Sequence, residues 1–251
     1  LLGSAWPTIR VEFEVPLSYM GMVSMIISGG TIFSGLMSER ITKKFGTRTV
    51  TTVSTLLTAV ALLGFSTTTD FYQMCLWAIP YGLGAGAIDA ALNNYVALYY
   101  NSRHMSWLHC FWGVGTIISP YIMSYALTHT VWANGYRMVS YLQFSIVVVL
   151  LLTFPLWKIN KGNKEIEENT EVLGLKGALK IKGVPYLLTG FFAYCAAEAT
   201  TMLWASSYLF HSHSFSKSDA ASFGSLFFLG ITFGRFVSGF VADKLGDKRM
   251  I

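Results

Sequence analysis

The chain has 251 residues, of which 53% are hydrophobic and 12% are charged, whereas about 25% of the residues of an average soluble domain are charged. This composition excludes a soluble globular enzyme, and the high hydrophobic content excludes intrinsic disorder. The net charge is +5, but most of the cations lie in loops between apolar runs, so nucleic acid is not an expected partner.

Membrane-spanning helices are predicted by long runs without Asp, Glu, Lys or Arg. A helix rises about 1.5 Å per residue, so about 20 apolar residues cross the hydrocarbon core of a bilayer. We expect an all-α polytopic membrane protein, and a chain that begins inside a helix is expected to be a piece of a longer protein. The sequence predicts the end of a first helix within residues 1–6 and seven further helices at 18–38, 49–67, 71–100, 106–128, 136–157, 183–209 and 219–242.

Basic residues concentrate in alternate loops. Segments 38–48, 101–106, 158–182 and 243–251 hold 14 of the 18 Lys and Arg residues. The positive-inside rule therefore places these four segments on the cytoplasmic side. We expect a multi-pass protein of the cell membrane, with the cytoplasmic membrane of a bacterium as the favoured location.

A long polar segment, residues 158–182, divides the predicted helices into two groups. Its first part is a solvated charged stretch, and its second part could form a short amphipathic helix on the membrane surface. A tether is favoured over a regulatory site. The predicted organisation is an N-terminal helical half at 1–157, a cytoplasmic linker at 158–182 and the start of a second half at 183–251.

An internal repeat supports two halves. Segment 30–40 reads GTIFSGLMSER and segment 234–244 reads GRFVSGFVADK, at a constant offset of 204 residues. Each copy ends a predicted helix at the cytoplasmic face. This spacing predicts two six-helix repeats, as in many secondary transporters.

The two segments resemble the loop signature of the major facilitator superfamily, G-x-x-x-D-[RK]-x-G-[RK]-[RK]. The resemblance to this superfamily extends over essentially the whole chain. It implies a major facilitator fold, here from the end of helix 1 through helix 8. The first copy departs from the signature, because Glu39 replaces Asp and three extra residues precede Phe45. A small residue allows helices to approach closely, and the charged residues are expected to latch one conformation. The expected latch consists of Gly35, Glu39, Arg40, Arg48, Arg235, Gly239, Asp243 and Lys244.

Segment 82–120 is similar to the fucose–proton symporter family, in which a carboxylate on helix 4 is followed four residues later by Asn. Asp89 and Asn93 match that pattern, and Asn94 adjoins them. The resemblance implies that these residues bind sugar or carry a proton. The family's other important carboxylate lies on helix 1, before Leu1.

Three formal charges fall in the interior of the predicted spans, away from their ends: Asp89, Glu198 and Arg235. Each costs about 2.5–3.5 kcal/mol at a helix centre on insertion scales, so each needs a partner or a water-filled cavity. Asp89 lies 14 residues before Arg103, which is about 21 Å along a helix and near mid-membrane. For Arg235, two alternatives stay open: pairing with a carboxylate on helix 7 or 4, or snorkelling toward the cytoplasmic latch.

Helical spacing groups further polar residues with these charges. Gly82, Gly86, Asp89 and Asn93 share one face, and Tyr194 lies four residues before Glu198 on another. Aromatic rings beside a carboxylate suit sugars, although an aromatic stripe is more often packing. The remaining candidates are Trp204, near Glu198, and His109, whose imidazole could relay protons.

The leading interpretation is a proton-coupled uptake carrier for a sugar or a similar small polar solute. The main alternative is a drug or metabolite–proton antiporter, but its usual Arg in helix 4 and its G-P-x-x-G-G motif in helix 5 are missing here. A non-transporting receptor is less favoured, and no enzyme, cofactor or metal site is predicted. The expected partners are a small solute, protons and the lipid bilayer, and the oligomeric state stays open, with a monomer compatible with the sequence.

Overall fold

The structure, a computed structural model, describes residues 1–157, 177–213 and 217–245. This part of the chain is all-α, as the apolar runs predict. Five of its helices, α2 to α6, are long and apolar enough to cross a membrane. The helices are α1 (Leu2–Glu12), α2 (Tyr19–Phe45), α3 (Thr47–Phe65), α4 (Phe71–Tyr99), α5 (Ser102–His129), α6 (Trp132–Leu152), α7 (Val184–Ser212) and α8 (Lys217–Leu245).

The ends of the first two helices differ from the prediction. The first helix continues past residue 6 to Glu12 and stops just before Glu14, which adopts a positive φ of 54°. Helix α2 continues past residue 38 to Phe45, because its basic last turns remain helical outside the apolar run. It stops at Gly46, whose φ of 79° is accessible to glycine at little cost.

Helix α6 is displaced toward the N-terminus relative to the predicted 136–157. It begins at Trp132 and ends at Leu152, and a short 3-10 turn, Phe154–Leu156, follows it. Pro155 lies in this turn, and proline cannot donate the hydrogen bond that would continue an α-helix. Apolar composition alone therefore overestimates the helix at this end.

The described chain divides into two compact units. The first contains α1 to α4, α5 from Ile118 onward, and α6; the second contains residues 100–117 with α7 and α8. The predicted boundaries at residues 157 and 182 stay a prediction, and residues 158–176 of the predicted linker lie outside the described residues.

In the first unit, glycines of α4 let α2 pack at backbone distance. A Cβ added to Gly82 would collide with the Ile27 carbonyl oxygen, and one added to Gly86 would collide with that of Thr31. The Thr31 hydroxyl donates a hydrogen bond to the Gly82 carbonyl at 3.2 Å. Close approach at small residues, reinforced by hydroxyl bonds, is how membrane helices associate without a hydrophobic driving force between them.

Helix α3 packs against α4 and α6 in the same way. A Cβ on Gly84 of α4 would lie 2.8 Å from the Ser54 carbonyl oxygen. The fully buried Ser140 of α6 donates to the Ala59 carbonyl at 2.8 Å. The first unit also has an aromatic-rich core, whose largest buried members include Trp6, Phe65, Phe71, Met74, Trp132 and Tyr136.

The second unit joins the first part of α5 to α8. A Cβ on Gly113 would collide with the Thr232 side chain, and the Cys110 thiol lies 3.6 Å from the Thr232 carbonyl oxygen. At Gly239, a Cβ would lie 2.9 Å from the Trp107 indole nitrogen. Two glycines therefore set the separation of these helices.

Candidate functional site

The second unit contains a charged cluster between α7 and α8. The Arg235 Nη2 atom lies 3.3 Å from Glu198 Oε1 and 3.4 Å from Oε2. It also donates to the Tyr194 hydroxyl oxygen at 2.9 Å. The side chains of Arg235 and Glu198 are only 22% and 12% exposed. One guanidinium thus joins two residues that lie one helical turn apart on α7.

An aromatic ring completes the cluster. The guanidinium carbon of Arg235 lies 5.2 Å from the centroid of the Trp112 ring, on α5. This is within the distance at which a cation is attracted to the face of an indole. Trp112 is 48% exposed and Tyr194 is 47% exposed, so both rings keep open surface beside the ion pair.

The cluster relates to the predictions in three ways. Tyr194 and Glu198 were predicted to share a face of α7, and the structure brings them together on Arg235. Of the two alternatives for Arg235, the structure has the helix-7 carboxylate as its partner, and its expected part in the latch stays a prediction. Trp112 was not predicted; its spacing of three residues from His109 on one helix is the signal that could have found it.

The predicted helix-4 site lies in the first unit, and its face is not uniform. Gly82 and Gly86 are buried against α2, whereas Asp89 and Asn94 are exposed. Asn93 is partly buried, and its Oδ1 atom is enclosed without a hydrogen-bond partner in the described part of the chain. The four residues lie on one continuous helix, as their predicted common face requires; α2 covers the glycine segment of that face and leaves the carboxylate open.

The latch residues of the first repeat copy differ in their surroundings. Glu39 pairs with Lys43 on its own helix at 3.6 Å. Arg40 is exposed, and Arg48 donates to the Phe154 carbonyl at 3.5 Å, with its guanidinium over the Phe154 ring.

The glycines of the two repeat copies differ. A Cβ on Gly35 would meet no atom within 4 Å in the described structure, so a close approach at this glycine stays a prediction. On α2, the close approach occurs at Gly30, where a Cβ would lie 3.1 Å from the Gly82 backbone. Gly239 of the second copy does lie against another helix, at Trp107.

Other predicted residues are placed less fully. His109 is partly buried in the first part of α5, within the second unit. The side chains of Trp204, Asp243 and Lys244 lie outside the described residues.

The two repeat copies share one local bond. The Ser34 hydroxyl donates to the Thr31 carbonyl at 3.3 Å, and the Ser238 hydroxyl donates to the Arg235 carbonyl at 2.9 Å. These are matching positions at the offset of 204 residues. In each copy of the repeat, the serine hydroxyl therefore donates to the backbone carbonyl three residues earlier.

Comparison with known proteins gives the family. The sequence model of the Major Facilitator Superfamily matches residues 1–251. The chain belongs to the major facilitator superfamily. Membership agrees with its apolar helices of membrane-spanning length, so the protein is a multi-pass membrane protein.

Two curated proteins similar to this superfamily member come from a yeast and a bacterium. Bypass of stop codon protein 6 of Saccharomyces cerevisiae is 24% identical over 273 residues, which cover 98% of this chain and 54% of that protein. Glucose/mannose transporter GlcP of Bacillus subtilis is 22% identical over 260 residues, which cover 99% of this chain and 63% of that protein. The chain thus spans little more than half the length of these relatives.

Proposed function

We propose that the full-length protein is a secondary active transporter that takes up a sugar with protons by alternating access. Family membership and the similarity to a protein named as a glucose/mannose transporter support transport in general. The observation that carries the finer proposal is the Glu198–Arg235 pair beside two exposed aromatic rings. The kind of cell stays a prediction, because the relatives come from a bacterium and a yeast.

The carboxylate of Glu198 is the proposed proton carrier of the second half. It lies 14 residues after the start of α7 at Val184, which is about 21 Å along the helix axis. An ionised carboxylate at this depth is costly, and the guanidinium of Arg235 offsets the cost while Glu198 is charged. Protonation of Glu198 removes the ion pair and frees the guanidinium for another acceptor, so proton binding and a change of contacts are coupled.

The rings of Tyr194 and Trp112 are the proposed contact surface for solute. A sugar presents apolar C–H faces and a rim of hydroxyls, so it binds between an aromatic face and charged hydrogen-bonding groups. The cluster offers both within one group of helices, since Arg235 donates to the Tyr194 hydroxyl and lies over the Trp112 ring. Asp89 and Asn93 of α4 are the proposed polar contacts of the first half.

The resemblance of segment 82–120 to fucose–proton symporters and the name of the bacterial relative direct the choice of solutes. We propose a transport assay on the full-length protein in proteoliposomes, with glucose, mannose and fucose and an imposed inward proton gradient. Accumulation of one sugar that collapses with the gradient is the expected result. Extrusion of a cationic drug without sugar uptake favours the antiporter, and sugar binding without exchange of labelled for unlabelled sugar favours a receptor.

In this assay, Glu198→Gln removes the charge of the proposed proton carrier. Glu14→Gln makes the same change elsewhere and is its matched control. Glu14 is exposed and follows α1, so removal of its charge leaves the cluster intact. We expect Glu14→Gln to accumulate sugar as the wild type does. Equal loss of accumulation in both variants contradicts a specific role of the Glu198–Arg235 pair.

A further inference from the structure

The first unit contains an apolar groove that the proposed transport function does not use. It has a volume of about 530 Å³ and lies between α2 and α3, with Leu83 and Ala87 of α4 contributing to its lining. This volume falls in the range of about 300–1,000 Å³ typical of small-molecule pockets. Its walls include Phe33 and Met37 of α2 and Val53 of α3.

The groove reaches the cytoplasmic ends of its helices. Phe45, the last residue of α2, and Thr49, in the first turn of α3, also line it. Phe45 lies within segment 38–48, which the positive-inside rule places on the cytoplasmic side, and Thr49 directly follows that segment. The groove therefore extends from the apolar part of the spans toward the level of the lipid headgroups.

A cation lies at this end of the groove. The ammonium of Lys44 is 5.3 Å from the centroid of the Phe45 ring. The neighbouring Lys43 forms a salt bridge with Glu39 at 3.6 Å, and Arg48 donates a hydrogen bond to the Phe154 carbonyl. Lys44, in the last turn of α2, therefore lies beside a residue that lines the groove.

We propose that this groove binds one acyl chain of an anionic phospholipid, with the phosphate held by Lys44. The aliphatic and aromatic walls fit a hydrocarbon chain, and the Lys44 ammonium beside the Phe45 ring complements an anionic head. Basic residues just inside the cytoplasmic leaflet recognise anionic lipids in this way. The inference depends on the membrane location of the helices and not on the solute transported.

Photolabelling of the full-length protein in lipid nanodiscs tests the proposal. The probes are phosphatidylglycerol and phosphatidylcholine, each with a photoreactive group at the end of one acyl chain. Labelled peptides are then identified by mass spectrometry. We expect phosphatidylglycerol to label the α3 peptide containing Val53 about fivefold more than phosphatidylcholine, the factor that one basic residue near an anionic headgroup supplies.

Matched variants distinguish recognition of the lipid headgroup from binding of the acyl chain. Lys44→Gln is expected to remove the preference for phosphatidylglycerol, and Lys43→Gln is expected to keep it. Val53→Phe fills the groove and is expected to lower labelling by both probes. Val60→Phe makes the same change at another exposed position of α3, outside the groove lining, and is expected to leave labelling unchanged.

Three results would overturn the proposal. The first is equal labelling by the two probes, which indicates ordinary annular lipid. The second is labelling that responds to neither Lys44→Gln nor Val53→Phe. The third is absence of label at Val53 in the full-length protein, which indicates that another segment of that protein covers the groove.

Discussion

Replacement of Gly86 by alanine tests the close packing of α2 against α4. A Cβ at this position would collide with the Thr31 carbonyl oxygen and the Ser34 hydroxyl. The Thr31 carbonyl carbon would lie at 2.8 Å, whereas real Cβ contacts are essentially never shorter than 3.0 Å. Since backbone atoms cannot rotate away as a side chain can, the two helices must separate.

The magnitude follows from two opposing effects. Inserting a methyl group into a well-packed interface costs about 1–3 kcal/mol. Alanine in place of glycine in a helix favours folding by up to about 1 kcal/mol. Gly29→Ala isolates the second effect, because a Cβ on Gly29 of α2 meets no atom within 4 Å. The difference between the two variants is therefore the steric cost, about 1–3 kcal/mol.

Thermal unfolding in detergent micelles measures this difference. The free cysteines Cys75, Cys110 and Cys195 are all partly buried, so a thiol-reactive fluorophore reports their exposure as the protein unfolds. We expect a midpoint several degrees lower for Gly86→Ala than for Gly29→Ala. Equal midpoints would show that α2 and α4 do not approach at backbone distance, and the description of the first unit would be wrong.

Three further predictions concern function and topology. Asp89→Asn in the full-length protein should abolish accumulation against a gradient at an unchanged protein level, because the substitution is nearly isosteric; accumulation at the wild-type level would show that Asp89 is not needed for coupling. A cysteine at Ser102 should react with impermeant thiol reagents only from the cytoplasmic side and one at Ser212 only from outside, and labelling from the opposite side would invert the topology. Residues 1–251 alone, reconstituted in vesicles, should show no proton-driven uptake, since polar groups of α7 and α8 lose part of their enclosure; robust uptake would remove the need for a second complete half.

The sequence predicts the helices well and their ends less well, for a physical reason. An apolar run of about 20 residues is needed to cross the bilayer, so its presence predicts a spanning helix. The helix itself does not stop at the bilayer surface, and α2 continues through a basic segment to Gly46. Backbone features such as the positive φ of Gly46 and the proline at residue 155, rather than hydropathy, set the ends of α2 and α6.

The site is predictable in part. Glu198 and Arg235 stand out in the sequence because charged residues are rare in membrane-spanning helices. Sequence position does not say which helices are neighbours, so it could not decide which carboxylate pairs with Arg235. Gly35 was expected to allow a close helix approach, whereas the close approach that the described residues show on α2 is at Gly30, because the two glycines point in different directions. Trp112 was missed because most aromatic residues in apolar helices serve packing.

The central claim is that Glu198 couples proton binding to solute movement through Arg235. Two rates test it most directly: the rate of sugar exchange and the rate of accumulation driven by a proton gradient. Glu198→Gln in the full-length protein keeps the size of the side chain and removes its charge. In proteoliposomes, we expect this variant to exchange labelled for unlabelled sugar at a rate near that of the wild type and to lose accumulation driven by a proton gradient. Gradient-driven accumulation at the wild-type level would contradict the claim.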